Sequence, residues 1–263
     1  KPVTDCREID VPETATCIRW HGEAQDKLYD QVAPSAPNAV GLIVREPIGV
    51  VAAVLPRNFP LMMKAWKIGP ALATGNSVVV KPAEQTSLTS LRLAELALAA
   101  GVPAGVLNVV TGFGPDVGEP LGRHMDVDAL TFTGSTEVGR KFLEYSAQSN
   151  GKEVCLEMGG KSAAVVLSDA KDIDRIAEIQ GNAIFWNMGE NCTANSRIIA
   201  HKDIYDDLVA AMTKVASGWT LGDQMDADTQ NGPLVSEEHY GKVSGLVETG
   251  KAQGAALAHG GAG

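Results

Sequence analysis

Cys192, Glu157 and Asn58 are the side chains with most to offer chemically. Cys192 lies in Asn187-Met-Gly-Glu-Asn-Cys-Thr-Ala-Asn-Ser-Arg197, a polar, glycine-containing stretch between a helical pattern and a strand pattern. A cysteine near a helix end can lose its proton readily and act as a thiolate nucleophile. Taken alone, a single cysteine is more often a small buried hydrophobe. Cys155, inside an apolar strand pattern, is read as core, and Cys6 and Cys17 as bystanders. Glu157 ends a strand just before Gly159-Gly160. A carboxylate at the carboxyl end of a parallel strand can face a ligand and act as general base, although composition alone favours a solvated glutamate. Asn58, in Pro56-Arg-Asn-Phe-Pro60, follows a strand and can donate to a developing oxyanion. An asparagine shaping a turn beside prolines is the commoner role.

A second group has the chemistry of nucleotide recognition. Lys81 and Glu84 follow the strand pattern Val78-Val-Val80. Lys81 can reach hydroxyls or phosphate, and Glu84 can accept from a ribose as acids after strands do in dinucleotide sites. The bland reading is an exposed lysine and a glutamate favoured by a helix dipole. Gly134-Ser-Thr-Glu-Val-Gly139 opens a helix, and N–H groups there can bind a pyrophosphate. Its spacing is not GxGxxG, and Ser135 or Thr133 serves equally as an ordinary helix cap. The five histidines (His21, His124, His201, His239, His259) share no metal-ligand spacing, so no catalytic metal is expected. There is no GxSxG elbow and no P-loop. The four tryptophans are read as core rather than as stacking platforms.

Positioning these groups falls to alternating elements. From Gly49 onward the sequence reads strand 50–55, helix 61–73, strand 77–80, helix 87–100, strand 106–110, strand 128–132, helix 136–146 and strand 153–157. Strands separated by helical patterns of roughly 10–15 residues imply parallel pairing with crossover helices. Continuous apolar strands imply a sheet covered on both faces. The fold class is therefore α/β, with a doubly wound parallel sheet of Rossmann-like type. A second set follows: strand 163–167, helix 173–186, strand 197–200, helix 205–217 and a helix near 240–253. The change at residues 157–161 divides the chain into a dinucleotide-binding domain, 1–157, and part of a second α/β catalytic domain, 158–263. Residues 1–48 read weakly, with helix at 23–29 and strand at 40–45. Pro34 and Pro37 mark an exposed connection.

Composition narrows the class. With 263 residues, 44% hydrophobic and 21% charged, the chain reads as a globular protein able to bury a sizeable core. A net charge of −10 argues against nucleic acid and anionic membranes as main partners. No apolar run approaches the ~20 residues of a membrane span. Four scattered cysteines fit a reduced, cytoplasmic setting. Both ends look abrupt, and the chain is read as a fragment.

The order of the motifs is more telling than any one of them. Pro56-x-Asn-Phe-Pro, Gly75-Asn-Ser-Val-Val-Val-Lys81-Pro-Ala-Glu84, Phe132-Thr-Gly-Ser-Thr-Glu-Val-Gly139, Leu156-Glu-Met-Gly-Gly-Lys161 and Gly189-Glu-Asn-Cys192 together resemble the aldehyde dehydrogenase superfamily over essentially the whole chain. The cysteine segment, with Cys17-Ile-Arg-Trp20 upstream, is most similar to the branch acting on γ-glutamyl-γ-aminobutyraldehyde and related aminoaldehydes.

The resemblance implies oxidation of a small-molecule aldehyde to its acid with NAD, NADP being the alternative. It makes Cys192 the nucleophile, passing through a thiohemiacetal and a thioester, Glu157 the general base, Asn58 an oxyanion donor with the Cys192 amide, and Lys67 a lysine near the active site. It implies cofactor contacts from Pro56, Arg57, Lys81, Glu84, Gly112, Gly134, Ser135, Val138 and Met158. It makes residues 33–48 an oligomerisation arm, serving a homodimer or homotetramer. Arg57 departs from the usual aromatic at its position. The family's subunits are larger, and their C-terminal part supplies a glutamate to the nicotinamide ribose. The alternatives are an inactive truncated homologue with a structural or interaction role, and an acylating enzyme that passes the acyl group to coenzyme A. The water-activating Glu157 argues against the latter.

Overall fold

A computed structural model describes residues 1–261. In chain order the elements are α1 (Val3–Asp5), α2 (Val11–Glu23), β1 (Gln31–Ala33), β2 (Gly41–Ile43), β3 (Val50–Val54), α3 (Pro60–Ala73), β4 (Ser77–Lys81), α4 (Leu88–Ala99), β5 (Leu107–Val109), α5 (Glu119–Arg123), β6 (Ala129–Gly134), α6 (Thr136–Ala147), β7 (Glu153–Met158), β8 (Ala163–Val166), α7 (Ile173–Phe185), β9 (Arg197–Ala200), α8 (Tyr205–Ser217) and α9 (Glu237–Ala252). The chain forms two compact units, Glu8–Met158 and, with the N-terminal Lys1–Arg7, Gly159–Gly263.

The unit Glu8–Met158 is built on a five-stranded sheet in the order β5-β4-β3-β6-β7, every neighbouring pair parallel. The central strand explains the arrangement. Val51, Ala53 and Leu55 point to one face, where Ile68 and Ala71 of α3 and Leu107 close over them. Ala52 and Val54 point to the other, against Leu130, Phe132 and Phe142 of α6. Burying each larger side chain contributes about 1.5–3 kcal/mol, and a strand apolar on both faces can exist only with helices on both. This is the doubly wound α/β class the sequence pattern implies. Helices α3 and α4 end at Gly75 and Gly101, whose φ of +82° and +94° close the last turn where other residues would be strained.

One buried charge stands out. Lys64 of α3 is fully enclosed, and its Nζ donates to the Ser90 carbonyl oxygen at 2.5 Å. Burial pushes its pKa down to about 8.

The other unit pairs β8 and β9 in parallel. Val166, Ala177, Ile204, Leu208 and Ala211 form its core. Helices α7 and α8 meet closely at Gly181, where an added Cβ would fall 2.4 Å from Val215 Cγ1.

Several local expectations are corrected. Helix 23–29 is only a 3-10 turn, Gln25–Lys27. The longer α2 lies before it and continues a helical run from Val3 through a π-helical turn, Cys6–Asp10; Pro12 follows that turn, where the regular hydrogen-bond ladder is already interrupted. Cys155 is exposed, not core. Strand β7 is the sheet edge and alternates: Val154 and Leu156 pack against the Phe132–Phe142 cluster, which turns Cys155 to the opposite face. Trp20 and Trp66 are exposed at 62% and 52%, so neither is a core residue. No helix among the described residues is long and apolar enough to cross a membrane.

Candidate active site

The five-stranded sheet has its topological switch at β3–β6, because the chain leaves β3 for β4 and β5 on one side and returns to β6 and β7 on the other. Ligands of such sheets bind outside the carboxyl ends at this switch. Parallel register brings those ends level: Val54 pairs with Lys81 and Phe132, and Thr133 with Glu157. Pro56, Arg57 and Asn58 follow β3, Lys81 ends β4, Gly134 ends β6 and Met158 ends β7. Residues spread over a hundred positions thus share one edge.

The groups assigned to a dinucleotide have chemistry that fits one. Ser135 caps α6, its Oγ accepting from Val138 N at 3.3 Å. The first turn of this 12-residue helix meets the switch point, where its dipole and N–H groups favour an anion such as a pyrophosphate. Gly139, one turn in, lies so close to β7 that a Cβ would fall 2.6 Å from Met158 Sδ. Gly112, after β5, has φ +150°, and a Cβ there would meet Val117 Cγ2 at 2.5 Å. Lys81 is buried rather than solvated. Its Nζ donates to the Pro82 carbonyl at 3.1 Å and lies 3.7 Å from Glu84 Oε2, whose side chain is 39% exposed. A cation and a carboxylate side by side suit a hydroxyl-bearing ring.

Lys67 projects from α3 towards the same edge. Burial lowers its pKa, and the neighbouring Glu157 and Cys155 oppose that shift. The Cys155 thiol is pushed up by burial and by Glu153, with Lys67 acting against both. Burial and Glu13 push Cys17 up as well. Neither is held in the thiolate form that nucleophilic attack requires.

Cys192 belongs to the other unit and is exposed. The turn before it is unusual. Asn187, Met188 and Gly189 have φ of 54°, 56° and 71°, three consecutive left-handed residues. For an L-residue such as Met that conformation costs about 1–2 kcal/mol. Asn187 is fully buried, and its Nδ2 donates to the Glu190 carbonyl at 3.2 Å. Met188 N donates to Asn231 Oδ1 at 3.2 Å. Thr193 N and Oγ1 both donate to Asn191 Oδ1, at 3.2 and 2.9 Å. His239 Nε2 lies 3.1 Å from Glu190 Oε1. Sequence reasoning passed over Asn187, Asn231 and His239. The one available signal was the helix start at Ser236, whose Oγ accepts from His239 N at 3.2 Å and fixes that histidine in the first turn of α9.

The aldehyde dehydrogenase family model matches residues 1–263. The chain belongs to the aldehyde dehydrogenase family. Among curated relatives, an aminoacetaldehyde dehydrogenase of Pseudomonas aeruginosa is 53% identical over 262 residues, covering 100% of this chain and 53% of that protein. The NADP/NAD-dependent aldehyde dehydrogenase PuuC of Escherichia coli is 44% identical, with 99% and 52% covered. Among solved structures, the γ-glutamyl-γ-aminobutyraldehyde dehydrogenase of Burkholderia cenocepacia superposes with a TM-score of 0.96 at 48% identity, covering 100% of this chain and 53% of that one. An indole-3-acetaldehyde dehydrogenase complexed with NAD+ gives 0.97 at 46%, with the same coverage. This aldehyde dehydrogenase chain thus spans about half the length of the relatives it matches.

Proposed function

We propose that this chain carries the central machinery of an NAD(P)-dependent oxidation of aldehydes to carboxylic acids. The observation that carries the reading is the sheet edge of one unit, where Asn58, Glu157 and the α6 N-terminus lie at the carboxyl ends of neighbouring parallel strands; the exposed Cys192 on a tethered, left-handed turn of the other unit supports it. The thiolate of Cys192 adds to the carbonyl carbon, giving a thiohemiacetal. The side-chain amide of Asn58 and the Cys192 N–H donate to the resulting oxyanion. Residues Pro56, Arg57, Lys81, Glu84, Gly112, Gly134, Ser135, Val138 and Met158 hold the dinucleotide, which when bound accepts hydride from the substrate carbon. Glu157 takes a proton from water as that water attacks the thioester, releasing the acid and regenerating the thiol. Lys67 lies near enough to feel the charge of Glu157, which supports a place for it beside the reacting groups.

We further propose that the aldehyde is an aminoaldehyde of the γ-glutamyl-γ-aminobutyraldehyde type. In support, the cysteine segment resembles that branch, and relatives with such names match over the whole of this chain. The antiparallel ribbon β1–β2, with Val32, Leu42 and the flanking Val40 each at least 65% exposed, has the apolar surface of an oligomer arm. Activity on γ-aminobutyraldehyde-type and simple aliphatic aldehydes with NAD and NADP tests the reading. Acid and reduced dinucleotide should form in equal amounts and fastest with the aminoaldehydes. Formation of acyl-coenzyme A in place of acid would contradict it.

A further inference from the structure

The exposed nucleophile candidate sits on backbone that does not hold its shape unaided. Three consecutive left-handed residues precede Glu190, and L side chains avoid that conformation. Where such backbone persists, its surroundings over-determine it. Contacts within the same unit do so here. Asn187 folds back on the Glu190 carbonyl, Asn231 accepts from the Met188 amide, and His239 meets the Glu190 carboxylate. The first two fix the start of the turn. The third brings the His239 ring 3.1 Å from the carboxylate of a residue two positions from the sulfur, and the approach is largely shielded: the side chains of His239 and Glu190 are 20% and 12% exposed. The histidine is a rigid anchor, because Ser236 caps α9 through the His239 amide itself.

We propose that the Glu190–His239 pair is a positioning device for Cys192. It clamps the residues between Gly189 and Cys192 onto the first turn of α9, so that the sulfur is presented in one orientation. Neither side chain takes part in bond making. The functional consequence rests on reading Cys192 as the nucleophile, whereas the clamp itself can be tested without turnover.

The test measures iodoacetamide alkylation of Cys192 by peptide mass spectrometry, with exposed Cys155 in the same molecule as the internal reference. His239→Ala and Glu190→Ala should each speed Cys192 alkylation about 3- to 10-fold, and the double variant should be no faster than either, as for residues acting through one contact. His239→Gln, which offers an amide N–H to the carboxylate, should return the rate to within about twofold of the starting protein. In aldehyde oxidation the alanine variants should lower kcat while leaving KM nearly unchanged. Additive effects, an unchanged Cys192 rate, failure of rescue, or an equal rise at Cys155 would each overturn the clamp. The clamp standing in the alkylation series while the starting protein oxidises no aldehyde would overturn the proposed function instead.

Discussion

At the scale of residues, the division of labour predicts distinct failures. Cys192→Ala should abolish aldehyde oxidation while dinucleotide binding, followed by fluorescence quenching, persists. Asn58→Ala should lower kcat by about 10²–10³, the usual cost of one oxyanion donor. Glu157→Gln should slow acid release more than the first burst of reduced dinucleotide, and equal loss of both phases in stopped flow would argue against its base role. Lys64 offers a test away from the chemistry. Its pKa in the fold, about 8, lies below the ~10.4 of an unfolded lysine. Between those values the unfolded chain binds more protons, so this residue's contribution to stability rises with pH there. Lys64→Met should therefore raise Tm at pH 7, and the gain should shrink towards pH 10; an equal gain at both would refute the burial argument. Sequence showed the reactive types and their order, but not Lys64, because nothing local to Met63-Lys64-Ala65 announces that its side chain will be enclosed by α4.

At the scale of elements, most of the architecture was legible because continuous apolar strands such as Val50–Val54 and glycine stops such as Gly75 and Gly101 each have one physical meaning. The exceptions are instructive. Helix α2 was obscured by Pro12, ordinarily a breaker, which here follows the π-helical turn Cys6–Asp10. The outward turn of Cys155 was hidden because an edge strand and a central strand differ in what covers them rather than in local propensity. The turn before Cys192 was unreadable because its left-handed residues include a methionine, and the groups beside it, Asn231 and His239, lie about 40 to 50 residues further on. Two substitutions probe the elements. Ser135→Ala removes the α6 cap and should cost about 1 kcal/mol of stability, with a rise in the Kd for NAD if α6 receives the pyrophosphate. Gly181→Ala sets a Cβ against the branched Val215 at the α7–α8 contact and should destabilise by about 1–3 kcal/mol, read by urea denaturation.

At the scale of the whole molecule, family membership was legible from five motifs in register, while the substrate was not, because no single residue pattern in the sequence encodes it. The exposed Gly159-Gly160-Lys161 joins β7 to β8, and limited trypsin digestion should cut first after Lys161. The central claim is that Cys192 is transiently acylated and that Glu157 frees it. Its most direct measurement is the mass of the Cys192 peptide after the Glu157→Gln variant is mixed with NAD and an aldehyde and quenched in acid. An acyl adduct should accumulate on Cys192 and on no other cysteine. A variant that consumes aldehyde yet carries its adduct on Cys6, Cys17 or Cys155, or carries none, would contradict it.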